Sequence, residues 1–196
     1  MHTVFITYYL SMGITMKFTR SGVLATAIVA ATAMPAVSHA ADGTITFNGQ
    51  ITSQTCTISG NGGGKNFTVT LPTVSTSALS TAGTTAGRTP FNIALSNCTP
   101  NSGNVSTYFE PGATVDTTTG QLINASGTAT NVEIGLLNGD SSVITLGAAQ
   151  ASQNSKAVAL ASGAATLKYF AQYVATNGAS TAGTVNTTVM YSIVYQ

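Results

Sequence analysis

Tryptophan is absent from this 196-residue chain, and charged side chains make up only 6% of it. Five acidic residues and six Lys or Arg leave a formal net charge of +1. No basic or acidic block exists, so the usual signatures of nucleic-acid binding and of electrostatic membrane binding are missing. Histidine and cysteine occur only twice each. Charge this low suits disorder or a membrane protein, but 43% of the residues are apolar and fall in short alternating runs. That arrangement predicts a folded β domain instead.

The N-terminus reads as a targeting segment. Met16-Lys17-Phe18-Thr19-Arg20 is a short basic start, residues 22–34 form an Ala/Val-rich apolar run, and Ser38-His39-Ala40 places small residues at −3 and −1 of a cleavage point between Ala40 and Ala41. The run is short for a membrane span. Residues 1–15 contain no Lys or Arg and precede a second Met, which fits a start codon set too early or an extra leading segment. The expected organisation is therefore an excess segment 1–15, a signal peptide 16–40, an N-terminal extension 41–52 leading into the first strand, and one domain over 53–196.

Cleavage leaves residues 41–196. Their charges are Lys65, Arg88, Lys156 and Lys168 against Asp42, Glu110, Asp116, Glu133 and Asp140, four minus five, or −1. His2 and His39 leave with the leader, while Cys56 and Cys98 stay. Two cysteines in an exported chain predict a disulfide. It closes a loop of about 43 residues, worth roughly 4 kcal/mol in the chain-entropy account.

Gly43, Ile45, Phe47, Gly49 and Ile51 alternate with Thr44, Thr46, Asn48 and Gln50, so residues 43–51 form a strand with one apolar and one wet face. The first strand region runs from Thr44 to Cys56, and Gly- and Asn-rich residues 59–64 make a loop. Residues 67–71 alternate again and stop at Pro72. Residues 75–88 read as a surface connection. Further strands are predicted at 91–95, 105–109, 157–160, 167–174 and 189–195. Residues 132–137 and 143–146 flank the hairpin signal Asn138-Gly139-Asp140. Residues 116–120 read as a turn and 177–183 as a loop. About nine short strands with no convincing helix point to an all-β sandwich.

Catalytic chemistry finds little to work with. Without histidine in the exported chain, Ser-His-Asp and Cys-His sites are unavailable, and zinc lacks its ligands. Nothing in the sequence brings two carboxylates together as a glycosidase needs. Gly64-Lys65 lacks the rest of a phosphate loop, with Ser59 and Asn66 at the positions of its Gly and Ser/Thr. The Asn-X-Ser/Thr sites at Asn66, Asn97, Asn104, Asn124 and Asn186 are what a chain rich in these residues produces by chance. No enzyme activity, metal or cofactor is expected.

Taken together, Thr44-Ile45-Thr46-Phe47-Asn48-Gly49 ahead of Cys56, the run from Phe91 to Cys98, Thr130-Asn131-Val132-Glu133-Ile134, and the end Tyr191-Ser192-Ile193-Val194-Tyr195-Gln196 resemble the type 1 family of chaperone–usher fimbrial subunits, over essentially the whole exported chain. The resemblance implies a pilin fold, an incomplete immunoglobulin-like β-sandwich completed by a donor strand from another subunit. It implies Gly43, Ile45, Phe47, Gly49 and Ile51 as the donor strand. Val189, Tyr191, Ile193 and Tyr195 would line the acceptor groove and contact a chaperone. The partners it implies are neighbouring fimbrial subunits in a homopolymer, a periplasmic chaperone and an outer-membrane usher, with no nucleic acid. Export would run through the periplasm to a surface fimbrium that supports cell adhesion. A minor or adaptor subunit would carry the same domain, and a secreted sugar-binding β-sandwich is the reading from another class.

Overall fold

In β2 (Thr85–Thr99), Phe91, Ile93 and Leu95 are buried while Asn92 and Ala94 on the other face are not, the two-residue period that the sequence predicts. The computed structural model describes residues 45, 46, 49, 51, 53 and 55–196. The leader, the Ala40-Ala41 cleavage point, Gly43 and Phe47 lie outside the described residues. Besides β2, the described strands are β1 (Thr55–Gly60), β3 (Asn104–Phe109), β4 (Val115–Asp116), β5 (Gln121–Ile123), β6 (Val132–Asn138), β7 (Val143–Ile144), β8 (Val158–Ala159), β9 (Ala165–Ala175) and β10 (Tyr191–Tyr195).

The larger sheet runs β1-β2-β9-β6-β5-β4, with β7 paired to β6. The smaller runs β10-β3-β8. Every pairing between named strands is antiparallel. The core unites Phe91, Ile93 and Leu95 of β2, Ile134 and Leu136 of β6, and Leu167, Tyr169 and Ala171 of β9 with Val105 and Phe109 of β3. Tyr169 anchors it, with ring centroids 5.4 Å from both Phe91 and Phe109. Aromatic pairs at this spacing add about 0.5–1.5 kcal/mol beyond their buried area. Cys56 and Cys98 form a disulfide that staples β1 to the end of β2.

Several boundaries differ from the sequence reading. β1 continues through Gly60, two residues into the predicted loop, because Ser59 and Gly60 still pair with Ala94 and Ile93. The connection at 75–88 holds a short 3-10 turn, Thr76–Leu79, and the start of β2. There Thr85 and Ala86 pair with β9 ahead of a bulge at Gly87, whose φ of 66° suits glycine. Pro90 is tolerated inside β2 because β1 pairs only from Ile93 onward, leaving one side of Pro90 without a strand. The predicted turn at 116–120 joins two short strands, β4 and β5. Residues 67–71 alternate in burial as predicted but pair with no strand among the described residues.

Candidate functional site

The described chain ends on an edge. β10 pairs with β3 on one side, Tyr191 opposite Phe109 and Tyr195 opposite Val105. No strand covers its other side among the described residues. The pattern extends upstream of β10. Thr184 accepts from the Ala129 amide, Asn186 from Ala125, and Met190 from Glu110, while Gln196 exchanges two bonds with Asn104 at 2.8 and 3.0 Å. The Thr188 carbonyl accepts the Thr114 hydroxyl at 2.6 Å. The even-numbered residues thus bond inward to the domain. Antiparallel ladders alternate, so Val185, Thr187, Val189, Tyr191, Ile193 and Tyr195 turn their N–H and C=O groups to the open side. Among the described residues none of these six has a backbone hydrogen bond outside the strand ladder.

Side chains follow the same two-residue rhythm. All six are half-buried, whereas Asn186, Thr188, Met190 and Ser192 between them are exposed; Val194 breaks the rhythm and is half-buried as well. Val185, Val189, Tyr191, Ile193 and Tyr195 pack on the margin of the core. Burial raises the pKa of the Tyr191 and Tyr195 phenols, because the charged phenolate is poorly solvated there.

Asn124 holds the upstream part of this edge in place. Its amide nitrogen donates to the carbonyls of Ala129 and Thr184 at 2.8 and 3.0 Å. Its oxygen accepts from the amides of Gly127 and Asn186 at 3.0 and 2.8 Å. A side chain with its whole hydrogen-bonding capacity engaged in this way fixes the backbone it touches.

A second lip faces this edge. Phe67, Val69 and Leu71 are half-buried against the same core, with Thr68 and Thr70 exposed. Residues 66–74 make no backbone hydrogen bond among the described residues. The lips approach at two places. Tyr191 meets Phe67 edge-on, centroids 6.2 Å apart, and its hydroxyl donates to the Lys65 carbonyl at 2.7 Å. At the other end Val74 and Val185 pack on one small cluster with Leu79 and Ala129. The stretch between these two contacts, called the cleft below, has half-buried apolar side chains at its base and, among the described residues, backbone groups without a backbone partner on both sides.

The predicted groove residues Val189, Tyr191, Ile193 and Tyr195 all lie on this edge. Sequence reasoning missed Val185 and Thr187, although the same alternation continues through them, and it missed the opposite lip at Phe67, Val69 and Leu71. Of the predicted donor residues, Ile45 and Ile51 are exposed, at 79% and 102%. A side chain added at Gly49 would meet nothing within 4 Å. Among the described carboxylates, Asp116 lies close enough to Glu133 for its charge to act on it. Glu133 is buried and accepts the Thr119 hydroxyl at 2.7 Å. Its pKa is raised, first by burial and then by the Asp116 charge.

A β-sandwich whose last strand leaves one edge unpaired among the described residues defines a class of all-β domains open to an added strand. The chain belongs to the type-1 fimbrial protein A family, which matches residues 71–196. It is 51% identical over 169 residues to the major fimbrial subunit SMF-1 of Stenotrophomonas maltophilia strain K279a, covering 83% of this chain and 98% of that one. It is 48% identical over 174 residues to the F17 fimbrial protein of Escherichia coli, covering 86% and 95%. The fold is similar to that of the P pilus rod subunit PapA, with a TM-score of 0.54 at 20% identity over 72% of this chain and 99% of that one. This chain is accordingly a structural subunit of a surface fimbria.

Proposed function

We propose that the subunit polymerises by strand donation, with residues 43–51 of one copy entering the cleft of the next. The unpaired edge at 185–195 carries this reading. Bare backbone groups above an apolar floor invite aggregation unless something covers them, and an added strand satisfies both needs at once. On this reading the 16–40 leader is removed ahead of Ala41, which frees residues 41–52 to reach a neighbour. A periplasmic chaperone covers the cleft first, contacting Val189, Tyr191, Ile193 and Tyr195, and an outer-membrane usher presides over the exchange.

Ile45, Phe47 and Ile51 would be buried in the neighbour, each contributing about 1.5–3 kcal/mol. Backbone bonds add about 0.5–1.5 kcal/mol each, opposed by the cost of ordering the strand. Phe47→Asp places a carboxylate in an apolar cleft, which costs more than the lost contact. That variant should fold with its chaperone, since its own cleft is intact, yet fail to join the next subunit. Thr46→Asp, on the wet face, should assemble far better. Fibre yield by electron microscopy and the ladder on unboiled gels read the difference, and equal assembly of the two variants would sink the proposal.

A further inference from the structure

We propose that Tyr191 sets the barrier to strand entry, acting as a strap across the cleft; the inference rests on the acceptor reading above. Among the described residues, the bond from its hydroxyl to the Lys65 carbonyl, at 2.7 Å, is the one hydrogen bond joining the 185–196 edge to the 65–74 lip. The ring reinforces the closure through its edge-on contact with Phe67. Tyr195, two cleft-facing positions further along, is also half-buried but makes no side-chain hydrogen bond among the described residues. The strap is therefore local to Tyr191.

A strand lying between the lips has to occupy the line that the Tyr191 phenol crosses. Entry breaks the bond and swings the ring off Phe67. Lys65 is exposed, so water takes over its carbonyl, and the phenol finds water in the same way. The opening is thus cheap and reversible, as a gate requires. Once a strand is seated the bond no longer exists, so the hydroxyl acts on entry and not on release. An association rate can report this role, whereas a purely structural role would not move it selectively.

The test uses the full exported chain carrying Phe47→Asp, which cannot donate but keeps its cleft, refolded from denaturant with the disulfide formed. A fluorescent peptide copying residues 41–54 is added, and its association and dissociation are followed by anisotropy. Tyr191→Phe, which keeps the ring and removes the bond, should raise the association rate roughly two- to tenfold, the factor that one neutral hydrogen bond carries. Dissociation should not change. Phe67→Leu, which loosens the ring contact, should shift the rate the same way, and Tyr195→Phe should leave it alone. If peptide binds and Tyr191→Phe associates at the parent rate or slower, the strap is refuted while the acceptor reading stands. If no variant binds peptide, the acceptor reading falls and the strap falls with it.

Discussion

Gln153 supports the strand on which the edge is built, at the far side of β3 from β10. Its side chain is fully buried, and both ends of its amide serve one residue. The oxygen accepts from the Phe109 amide and the nitrogen donates to the Phe109 carbonyl, each at 2.8 Å. Phe109 lies opposite Tyr191, but its backbone groups point away from β10, toward the side where β8 reaches only Asn104 and Val105. Gln153 therefore stands in for a missing strand and props β3, which carries β10 and the cleft. Gln153→Leu fills much of the same space but leaves a buried donor and a buried acceptor without partners. At about 1–3 kcal/mol each, the loss is roughly 2–6 kcal/mol. Gln153→Glu should lose less at low pH, where a protonated carboxyl can still donate to the Phe109 carbonyl, and more at neutral pH, where it cannot. Urea unfolding of the exported chain, followed by circular dichroism at pH 4.5 and 7, measures both effects. A Leu variant within about 0.5 kcal/mol of the parent would refute the claim that the glutamine replaces a strand, since two orphaned backbone groups cannot cost so little.

Glu133 should make stability fall as pH rises. Its pKa in the folded chain is raised above the ordinary 4.5, so the fold binds its proton more tightly than the unfolded chain does. The associated stability is fully present below the unfolded pKa and is lost as pH climbs through the folded one. Glu133→Gln should be the more stable protein at pH 7, with the advantage gone below about pH 4; denaturant midpoints across that range check it, and an advantage that persists at low pH would contradict the burial argument. Cys98→Ser breaks the staple between β1 and β2 and removes roughly 4 kcal/mol by loop-entropy reckoning. Immunoblots should show less subunit in the periplasm, and normal levels with intact fibres would rule out a structural role for the disulfide.

Part of the sandwich can be read from alternation alone, as in β2, where Phe91, Ile93 and Leu95 are buried while Asn92 and Ala94 are not, although β6 is buried on both faces along its whole length. The runs at 91–95, 105–109 and 167–174 all became strands. Residues 67–71 show where the method stops. Alternation records which side chains meet the core, and Phe67, Val69 and Leu71 do meet it. It says nothing of whether a neighbour offers hydrogen bonds, and among the described residues none does. The segment has a strand's side-chain pattern without a strand's ladder. The same blindness hid Gln153, since a buried glutamine in a polar stretch looks like any loop residue until Phe109 is seen beside it. The boundaries of β1 and β2 moved for a related reason: pairing with Ala94 and Ile93, or with β9, extends a strand across residues whose own preferences favour a turn.

The geometry of the cleft restricts what can complete it. A helix has its amides and carbonyls engaged along its own axis and offers none to its sides. A small molecule could cover the apolar floor but could not reach the six open backbone positions spaced two residues apart. From 185 to 195 the edge spans ten residue steps, roughly 33 Å at about 3.3 Å each. The alternating run at 43–51 spans eight steps, roughly 27 Å, and fits within that length. Its apolar residues recur at the same two-residue interval as the half-buried side chains of the edge. An extended strand lying between β10 and residues 66–74 could bond to both lips while its Ile and Phe side chains face the core between the sheets. Ile45 and Ile51, both exposed in the isolated chain, are the side chains that such an arrangement would bury. On the proposed reading, in which residues 43–51 of one copy fill the gap beside β10 of the next, assembly is head-to-tail and each copy completes its neighbour.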